Sequence, residues 1–547
     1  MIYPDNFEQK IDFLRIREQI KGECLGALGR WLTDQMRFMS RFADVSNRLA
    51  EVSEFMQLLQ SGTQLPTDNF ADLRDTTAKM RIEGSFADVD EVYNLYLSLR
   101  TSKTIAGFFG NDDNSDRYPR LGMLASHVVV HAFVIDSVER VMDRHGSIRD
   151  TATPELARIR REMREKQNAV SRLIHRIIGD AQKEGWVEPD TSLAVRDGRV
   201  VIPVQASMKR KIAGIVHDES ATGKTCYIEP APVVELNNAI SELEADERRE
   251  VIKILKALPA AIRPYLDGID DALMFLGIID FVRAKARFAL QTDACIPQLS
   301  DQPEIDWNNA MHPILLQSFR DENRTLVPLN IKLNADNRIL VISGPNAGGK
   351  SVCLKTVGLL QYMLQCGVPV PMQPQSRAGI FSNLFIDIGD EQSIDNDLST
   401  YSSHLLNMKE FMRNADNRTL ILIDEFGTGT EPMLGGAIAE SILDRLNQQQ
   451  VMGVITTHYT NLKHYAANHS GVVNGAMLYD TNRMEPMFVM EMGKPGSSFA
   501  FEIAYKTGLP QDVIDSARSK GVLSRNAVSR KKSRMATLFN KTFKASK

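Results

Sequence analysis

One short segment constrains the fold of this chain more than any other: a glycine-rich loop between an apolar run and a helical pattern. Residues 338–343 before the loop are of strand type, and residues 352–360 after it read as a helix. Glycines allow a tight turn, and backbone N–H groups with a helix N-terminus would bind phosphates. The loop fits the pattern GxxxxGK[ST] with eight residues: Gly344, Pro345, Asn346, Ala347, Gly348, Gly349, Lys350 and Ser351.

Two of these side chains have predicted roles at a nucleotide. Lys350 would reach the β- and γ-phosphates, and the Ser351 hydroxyl would bind Mg²⁺. Two further apolar runs end in polar residues, as parallel strands do where they meet a ligand. The first ends in Asp424 and Glu425, and the second ends in His458.

These polar ends complete a hydrolytic site. Asp424 is placed to hold Mg²⁺, and Glu425 is placed to orient and deprotonate an attacking water. His458 is expected to sense the γ-phosphate, because it follows a strand in the same series. The motifs therefore predict a hydrolase that uses ATP and Mg²⁺.

At these residues the chain resembles the ABC-type branch of P-loop ATPases and, within it, the MutS family. Residues 427–432 resemble that family's loop between the two nucleotide sites of a dimer, and residues 397–404 resemble its Ser-Thr-aromatic segment. The resemblance implies a homodimer in which Ser399 approaches the partner's nucleotide. A helix cap by Ser399 is compatible with that role. Gln392 lies where ABC proteins place a glutamine loop. The sequence does not decide whether Gln392 contacts metal or water.

Within the family, these motifs are most similar to the bacterial paralogues called endonuclease MutS two, and the similarity covers about residues 1–520. Two features depart from related proteins. The first hundred residues contain no Phe-x-Glu wedge of the mismatch-reading domain, so mismatch recognition is not expected. The C-terminal Smr nuclease domain of the paralogues is also missing, so no nuclease site is expected in this chain.

The expected fold class is α/β plus α. The resemblance implies a C-terminal ABC-type P-loop ATPase domain and an N-terminal, mainly helical core with a long helical lever and a small β-containing clamp. Helical periodicity and its change near residue 186 suggest the boundaries in the N-terminal half, and the resemblance implies the ATPase domain and the dimerisation element. The expected order is helical core (1–150), lever (151–262) with the clamp near 186–230, returning core (263–302), ATPase domain (303–495), helix-turn-helix dimerisation element (496–521) and basic tail (522–547).

Several local elements are predicted in the N-terminal half. A long charged helix covers residues 155–182, and Asp197-Gly198 marks a hairpin turn between two strands. Residues 61–68 and 108–120 read as loops, because turn-forming residues concentrate there. Three cations beyond the hairpin are candidate contacts to nucleic-acid phosphates, with a solvated surface as the alternative: Lys209, Arg210 and Lys211.

Composition is typical of a globular intracellular protein. The 547 residues require several domains, and a net charge of −4 limits nucleic-acid binding to local patches. No signal peptide and no apolar run of about 20 residues occurs, so we expect a cytoplasmic protein that does not bind membranes.

Motifs and resemblance together predict a Mg²⁺-dependent ATPase that dimerises and clamps structured nucleic acid under ATP control. Branched DNA in recombination control is the first expected target. ATP-driven rescue or splitting of stalled ribosomes, through ribosome-associated RNA, is one alternative. A slow nucleotide-gated DNA-binding scaffold without significant turnover is another. The sequence does not separate DNA from RNA, because phosphate contacts carry no sequence information.

Overall fold

The computed structural model describes residues 1–196, 198–345, 348–389, 400–480, 483, 485–496 and 508–519. Helices and strands are mixed along the chain, which confirms an α/β fold. The described helices are α1 (Phe7–Lys10), α2 (Phe13–Glu23), α3 (Ala27–Asp34), α4 (Phe42–Gln60), α5 (Arg74–Arg81), α6 (Val89–Phe109), α7 (Asp112–Arg117), α8 (Pro119–Ser126), α9 (Ala132–Val141), α10 (Pro154–Lys183), α11 (Ala231–Ile262), α12 (Leu266–Gln291), α13 (Pro313–Asp321), α14 (Lys350–Gln365), α15 (Thr400–Asn414), α16 (Pro432–Gln448), α17 (Thr460–Asn468) and α18 (Gln511–Ser519).

The described strands are β1 (Ile2–Tyr3), β2 (Ala194–Arg196), β3 (Arg199–Gln205), β4 (Gly214–Glu219), β5 (Thr225–Pro230), β6 (Gln298–Ser300), β7 (Ile305–Ala310), β8 (Leu329–Leu333), β9 (Asn337–Ser343), β10 (Arg377–Gly379), β11 (Asn383–Asp387), β12 (Thr419–Ile423), β13 (Met452–Thr456), β14 (Gly471–Asp480) and β15 (Glu485–Met492).

Contacts divide the chain into two compact units. Unit 1 comprises Met1–Leu65, Ser115–Leu121 and the chain from Ile278 onward, and unit 2 comprises Pro66–Asn114 and Gly122–Gly277. The expected helical core of residues 1–150 is therefore divided, and its first 65 residues group with the nucleotide motifs.

Unit 1 is built on a seven-stranded sheet in the order β1-β11-β12-β13-β9-β14-β15. Neighbouring strands are parallel except β14 and β15. Alternate residues of β9 enter cores on opposite faces: Leu340 and Ile342 lie in one, and Ile339 and Val341 in the other. Burial on both faces explains the continuous apolar runs. The three strands predicted around the nucleotide motifs are confirmed as β9, β12 and β13.

Helix α14 shares one of these cores with the N-terminal helices. The rings of Phe7 and Phe13 lie 5.2 Å and 4.7 Å from that of Tyr362 on α14, measured between centroids. Lys355, also on α14, forms an ion pair with Asp12 at 3.1 Å. The helix that follows the glycine-rich loop is therefore packed directly against α1 and α2. A second, four-stranded sheet of unit 1 has the order β6-β10-β7-β8.

The edge strand β1 was not predicted from the sequence. It pairs in parallel with β11, with Tyr3 opposite Phe385, and the N-terminal ammonium group donates to Ser382 O at 2.9 Å. Two residues are too few to show a strand period, so β1 leaves no pattern in the sequence.

Unit 2 contains a helical core and a four-stranded antiparallel sheet in the order β2-β3-β5-β4. The sheet packs on α10 and α11, with Ile174 of α10, Ile202 and Ile228 of the sheet and Val233 of α11 in one apolar core. The predicted long helix is confirmed as α10, and the predicted hairpin strands are confirmed as β2 and β3. Of its turn, Asp197 lies outside the described residues.

A buried carboxylate fastens this small sheet to α11. Glu229 on β5 is fully buried and accepts hydrogen bonds from Arg199 Nη1 at 3.0 Å and Asn237 Nδ2 at 2.6 Å. His217 Nε2 lies 2.6 Å from the same group. Burial acts to raise the pKa of Glu229, but these donors outweigh it and the pKa is lowered. One ionised side chain thus joins three strands and a helix.

Two predicted loops have different outcomes. Residues 61–68 contain no helix or strand, as predicted. The loop prediction for residues 108–120 is wrong, because α7 and the start of α8 occupy most of it. Asp112 and Asp113 lie in the first turn of α7, where their charges favour a helix despite the turn-forming composition.

The predicted C-terminal helix-turn-helix is described only in part. Helix α18 matches the predicted second helix, whereas the first helix and the basic tail lie outside the described residues. Among the helices of the described ranges, none has both the length and the apolarity needed to cross a membrane.

Candidate nucleotide site

The glycine-rich loop joins β9 to α14 at the carboxyl end of the central sheet. Gly344 follows β9 at φ 140°, and Gly349 caps α14 in the left-handed region at φ 90°. A side chain at Gly349 would be strained, so the glycine is required where the helix begins. Gly348 N–H donates to Pro345 O at 3.0 Å. Asn346 and Ala347 lie outside the described residues.

Lys350 begins α14 and turns its side chain back into the loop. It is 3% exposed, and its Nζ donates to Gly344 O at 2.8 Å and lies 3.4 Å from His458 Nε2. Burial lowers the pKa of Lys350, while the charges of Glu425 and Asp424 act to raise it. The ammonium group is therefore held at the loop, where phosphate oxygens would be stronger acceptors than a carbonyl. The next residue, Ser351, is exposed in the first turn.

The acidic pair follows β12 and is held from the neighbouring strands. Thr456 Oγ1 on β13 donates to Asp424 Oδ1 at 2.5 Å and accepts from Glu425 N–H at 2.8 Å. On the other side, Asp424 N–H donates to Asp387 O at the end of β11 at 2.8 Å. Glu425 has φ 49°, a conformation that side chains rarely adopt. Thr456 was predicted only as part of a strand tip.

A histidine and a lysine follow β13. The pKa of His458 is lowered by burial and then by Lys350, so its imidazole is neutral at pH 7. Lys463 on α17 acts on His458 and Lys350 in the same direction, and its Nζ donates to Gly496 O at 3.1 Å. Lys463 was not predicted, because it belongs to no motif.

An apolar cavity of about 340 Å³ opens beside the loop. That volume lies at the small end of ligand pockets, roughly 300–1,000 Å³. Its lining includes Val327, Gly349, Val352 and Phe488. A Cβ built on Gly349 would lie 3.3 Å from Phe488 Cδ1. The cavity can therefore take the flat, apolar part of a ligand whose phosphates lie in the loop.

The backbone of β15 aims Phe488 at this cavity. Met477 pairs with Met490 and Tyr479 with Pro486, so β15 has two more residues than β14 between these pairs. Phe488 lies in this bulge at φ 57°. Bulges redirect side chains and are frequent beside active sites. Phe488 was not predicted from the sequence, because a bulge depends on strand pairing that no local pattern records.

The described residues of the predicted site thus lie together at the carboxyl ends of the sheet's strands. It comprises Gly344, Pro345, Gly348, Gly349, Lys350, Ser351, Asp424, Glu425 and His458. Ser399 and Gln392 lie outside the described residues. No group of three or more His, Cys, Asp or Glu within the described ranges could hold a metal ion. Asp424 and Ser351 would suit Mg²⁺, which takes few protein ligands and completes its shell with phosphate oxygens and water.

The predicted nucleic-acid contacts lie in unit 2. They form an exposed loop between β3 and β4: Lys209, Arg210 and Lys211. Lys224, in the turn between β4 and β5, is next to this loop, because its carbonyl accepts Ala206 N–H at 2.9 Å. Lys209 Nζ lies 3.8 Å from Glu219, so one of these four cations is partly neutralised. Lys224 was not predicted, since it is distant from the cluster in sequence.

The loop, the acidic pair and the strand order define a P-loop nucleotide-binding protein. A model of the family described as MutS domain V matches residues 340–523. The chain is 36% identical over 511 residues to Endonuclease MutS2 of Pelotomaculum thermopropionicum. It is 34% identical over 510 residues to Endonuclease MutS2 of a Geobacillus species and 35% identical over 511 residues to that of Streptococcus suis.

Each of these alignments covers 93% of this chain and 64% of the relative. The chain therefore spans less than two thirds of the length of these relatives. It belongs to the MutS family, as its motifs predicted.

The Thr456 bridge yields a first prediction. Thr456→Val keeps the shape but removes the hydroxyl that contacts both acids, so we expect ATP hydrolysis to fall by roughly 10- to 100-fold, as for other outer partners of metal ligands. The Mg²⁺ concentration for half-maximal rate should rise, which a phosphate-release assay over a Mg²⁺ series measures.

Thr457→Val is the matched control, because among the described residues the Thr457 hydroxyl contacts main-chain atoms, Phe426 O and Tyr459 N–H. An equal loss of rate in both variants, with an unchanged Mg²⁺ requirement, would refute the bridging role of Thr456.

Proposed function

We propose that this chain is a Mg²⁺-dependent ATP hydrolase of the MutS type. The protein dimerises and clamps structured nucleic acid under ATP control. Its target is branched DNA in recombination control. The observation that carries the proposal is the convergence of Lys350, Asp424, Glu425 and His458 at the carboxyl ends of three neighbouring parallel strands. Each of these groups stands where a different part of the hydrolysis needs it.

The roles follow from charge and position. Lys350 and the loop amides would bind the phosphates. Asp424 and Ser351 would hold Mg²⁺, which would supply neutralisation of the phosphate charge. Glu425 accepts a proton from the attacking water. The neutral His458 donates to the γ-phosphate. The base of ATP lies in the apolar cavity, with Phe488 against it.

Turnover is tested by removing the proposed base. Glu425→Gln keeps the size of the side chain but accepts no proton, so hydrolysis should fall by roughly 10²- to 10⁴-fold while ATP binding remains. Lys350→Ala should instead weaken ATP binding itself. Both are measured by equilibrium binding and single-turnover hydrolysis on purified protein.

An undiminished single-turnover rate in Glu425→Gln would reject Glu425 as the base. A parent protein that binds ATP without turnover would support the slow scaffold in place of the hydrolase.

An exposed apolar patch on α16 supports dimerisation. Met433 is 82% exposed, Leu434 is 65% exposed and Ile438 is 42% exposed. Leu406 on the neighbouring α15 is 47% exposed. Exposed apolar side chains grouped in this way are typical of interaction surfaces. The patch lies at the start of the helix that follows the acidic pair, so a second copy seated on it would approach the nucleotide site.

Met433→Glu tests this surface. In a symmetric interface each substitution occurs twice, so two buried charges should oppose association. We expect sedimentation velocity to show monomer at concentrations where the parent is dimeric, and the ATPase rate per subunit to fall. Ile252→Glu, an equally drastic change at an exposed position on α11, is the control. A dimer that resists Met433→Glu would exclude this patch.

Unit 2 supports the clamp. Helices α10 and α11 form the lever, and the sheet that Glu229 fastens to α11 carries the loop with Lys209, Arg210 and Lys211. Together with Lys224, these cations give the sheet a basic end suited to phosphates.

Replacing Lys209, Arg210 and Lys211 with Ala should weaken binding to a four-way DNA junction and flatten its salt dependence by about 0.9 log–log units per lost phosphate contact. Preference for the junction over linear duplex should also decline. Fluorescence anisotropy at several salt concentrations measures both. The control removes three exposed cations from α10: Arg161, Arg172 and Arg176. Parental affinity in the loop variant would refute the clamp contact. Tighter binding to ribosomes than to the junction would favour the ribosomal alternative.

A further inference from the structure

One carboxylate fastens the first turns of α15 to the central sheet. Asp387 ends β11 and is 2% exposed. Its Oδ2 lies 2.6 Å from His404 Nδ1, and its Oδ1 accepts from Asn407 Nδ2 at 2.9 Å. At this distance the imidazole and the carboxylate share a hydrogen bond. Asn407 Oδ1 in turn accepts the Tyr3 hydroxyl at 2.8 Å. We call these four residues the Asp387 latch.

The main chain of the same residue supports the acidic pair. Asp387 O accepts Asp424 N–H at 2.8 Å, and Asp387 is paired with Ile423 in the sheet. Asp387 therefore lies between the proposed metal ligand of its own subunit and the helix that follows Ser399 in the chain. Its main-chain oxygen contacts Asp424, and its side chain contacts α15.

Apolar packing holds α15 mainly towards its C-terminal end. Met408 and Phe411 are buried there, and the Phe411 ring lies 5.4 Å from that of Phe385 on β11. Nearer the start of the helix, a cavity of about 20 Å³ remains beside Tyr401 and Leu405. The buried Tyr401 hydroxyl has no hydrogen-bond partner among the residues that the structure describes. The hydrogen bonds to Asp387 are therefore directional contacts that help to set the position of these turns.

We propose that the Asp387 latch positions the start of α15 so that Ser399, the residue before the helix, completes the nucleotide site of the partner subunit. The inference rests on the proposed function, a dimeric ATP hydrolase, and on the role in trans that the family resemblance implies for Ser399. The latch residues act through α15 and are positioning residues. A misplacement of about 1 Å far from the chemistry can lower a rate by about 100-fold. Loss of the latch should therefore reduce turnover without weakening ATP binding in the same subunit.

The first experiment separates turnover from binding. His404→Ala should lower kcat by about 10- to 100-fold, with the Kd for ATP unchanged. His404→Asn should recover part of the rate, because its amide N–H lies close to the position of Nδ1. Lys409→Ala, at an exposed position on α15, is the control for helix stability. A parental kcat in His404→Ala, or a loss that lies entirely in ATP affinity, would overturn the inference.

The second experiment asks which subunit carries the defect. A protein with Lys350→Ala has a defective loop but an intact α15, and a protein with His404→Ala has the reverse. When equal amounts of the two proteins are mixed and exchange subunits, half of the dimers are hybrids. Each hybrid has one intact site of two, so about a quarter of the parental activity should return. If His404→Ala instead disturbed Asp424 of its own subunit, the mixture would regain no activity. That result would overturn the inference.

A parallel mixture distinguishes this failure from failure of the proposed function. Lys350→Ala mixed with Ser399→Arg should regain activity if any site is completed in trans. Rescue in this mixture without rescue by His404→Ala overturns the latch alone. Absence of rescue in both overturns the trans site and the latch with it. Should His404→Ala unfold in a thermal melt, Tyr3→Phe, which removes the hydroxyl that donates to Asn407, is used in the same two assays.

Discussion

Both faces of the central sheet of unit 1 are buried in apolar cores. Its polar chemistry is therefore placed at the carboxyl ends of the parallel strands. Backbone hydrogen bonds fix the register of β11, β12, β13 and β9. Their last residues therefore meet although the sequence separates them widely. Ser343 leads into the phosphate loop, Ile423 into the acidic pair, and Thr456 bridges that pair from the next strand. Because the strands cannot shift without breaking two cores, the site is held before any ligand binds, which is what electrostatic catalysis requires.

The charges of the site depend on one another. Lys350 is buried, and burial alone favours its neutral form. The nearby acids, Asp424 and Glu425, oppose that effect, while Lys350 lowers the pKa of His458 in turn. An arriving triphosphate would bring negative charge to the side of the loop that faces Lys350. It would strengthen the charged form of the lysine and repel Glu425. Mg²⁺ at Asp424 removes that conflict, so cation and nucleotide should bind together.

The sequence was informative where the chemistry depends on neighbours in the chain. Lys350 and Glu425 belong to motifs that carry their own strand or helix, so their positions could be predicted. Thr456 and Phe488 depend on pairing between strands, and the bond between Asp387 and His404 depends on the rotation of α15 against the sheet. Neither strand pairing nor the rotation of a helix leaves a periodic pattern in the local sequence. The wrong prediction at residues 108–120 has a related cause, because turn-forming composition outweighed the charges that favour α7.

The N-terminal residues belong physically to the nucleotide unit, which was not evident from the sequence. Helix α14 starts with Lys350 at the phosphate loop, and one and a half turns later its Lys355 pairs with Asp12. Tyr3 reaches the other side of the site through Asn407 of α15. The first residues of the chain thus contact both the helix that begins at the phosphates and the helix that follows Ser399. A change in the angle between these two helices on ATP binding would strain both contacts at once, so the N-terminal helices must either move with the site or resist its closure.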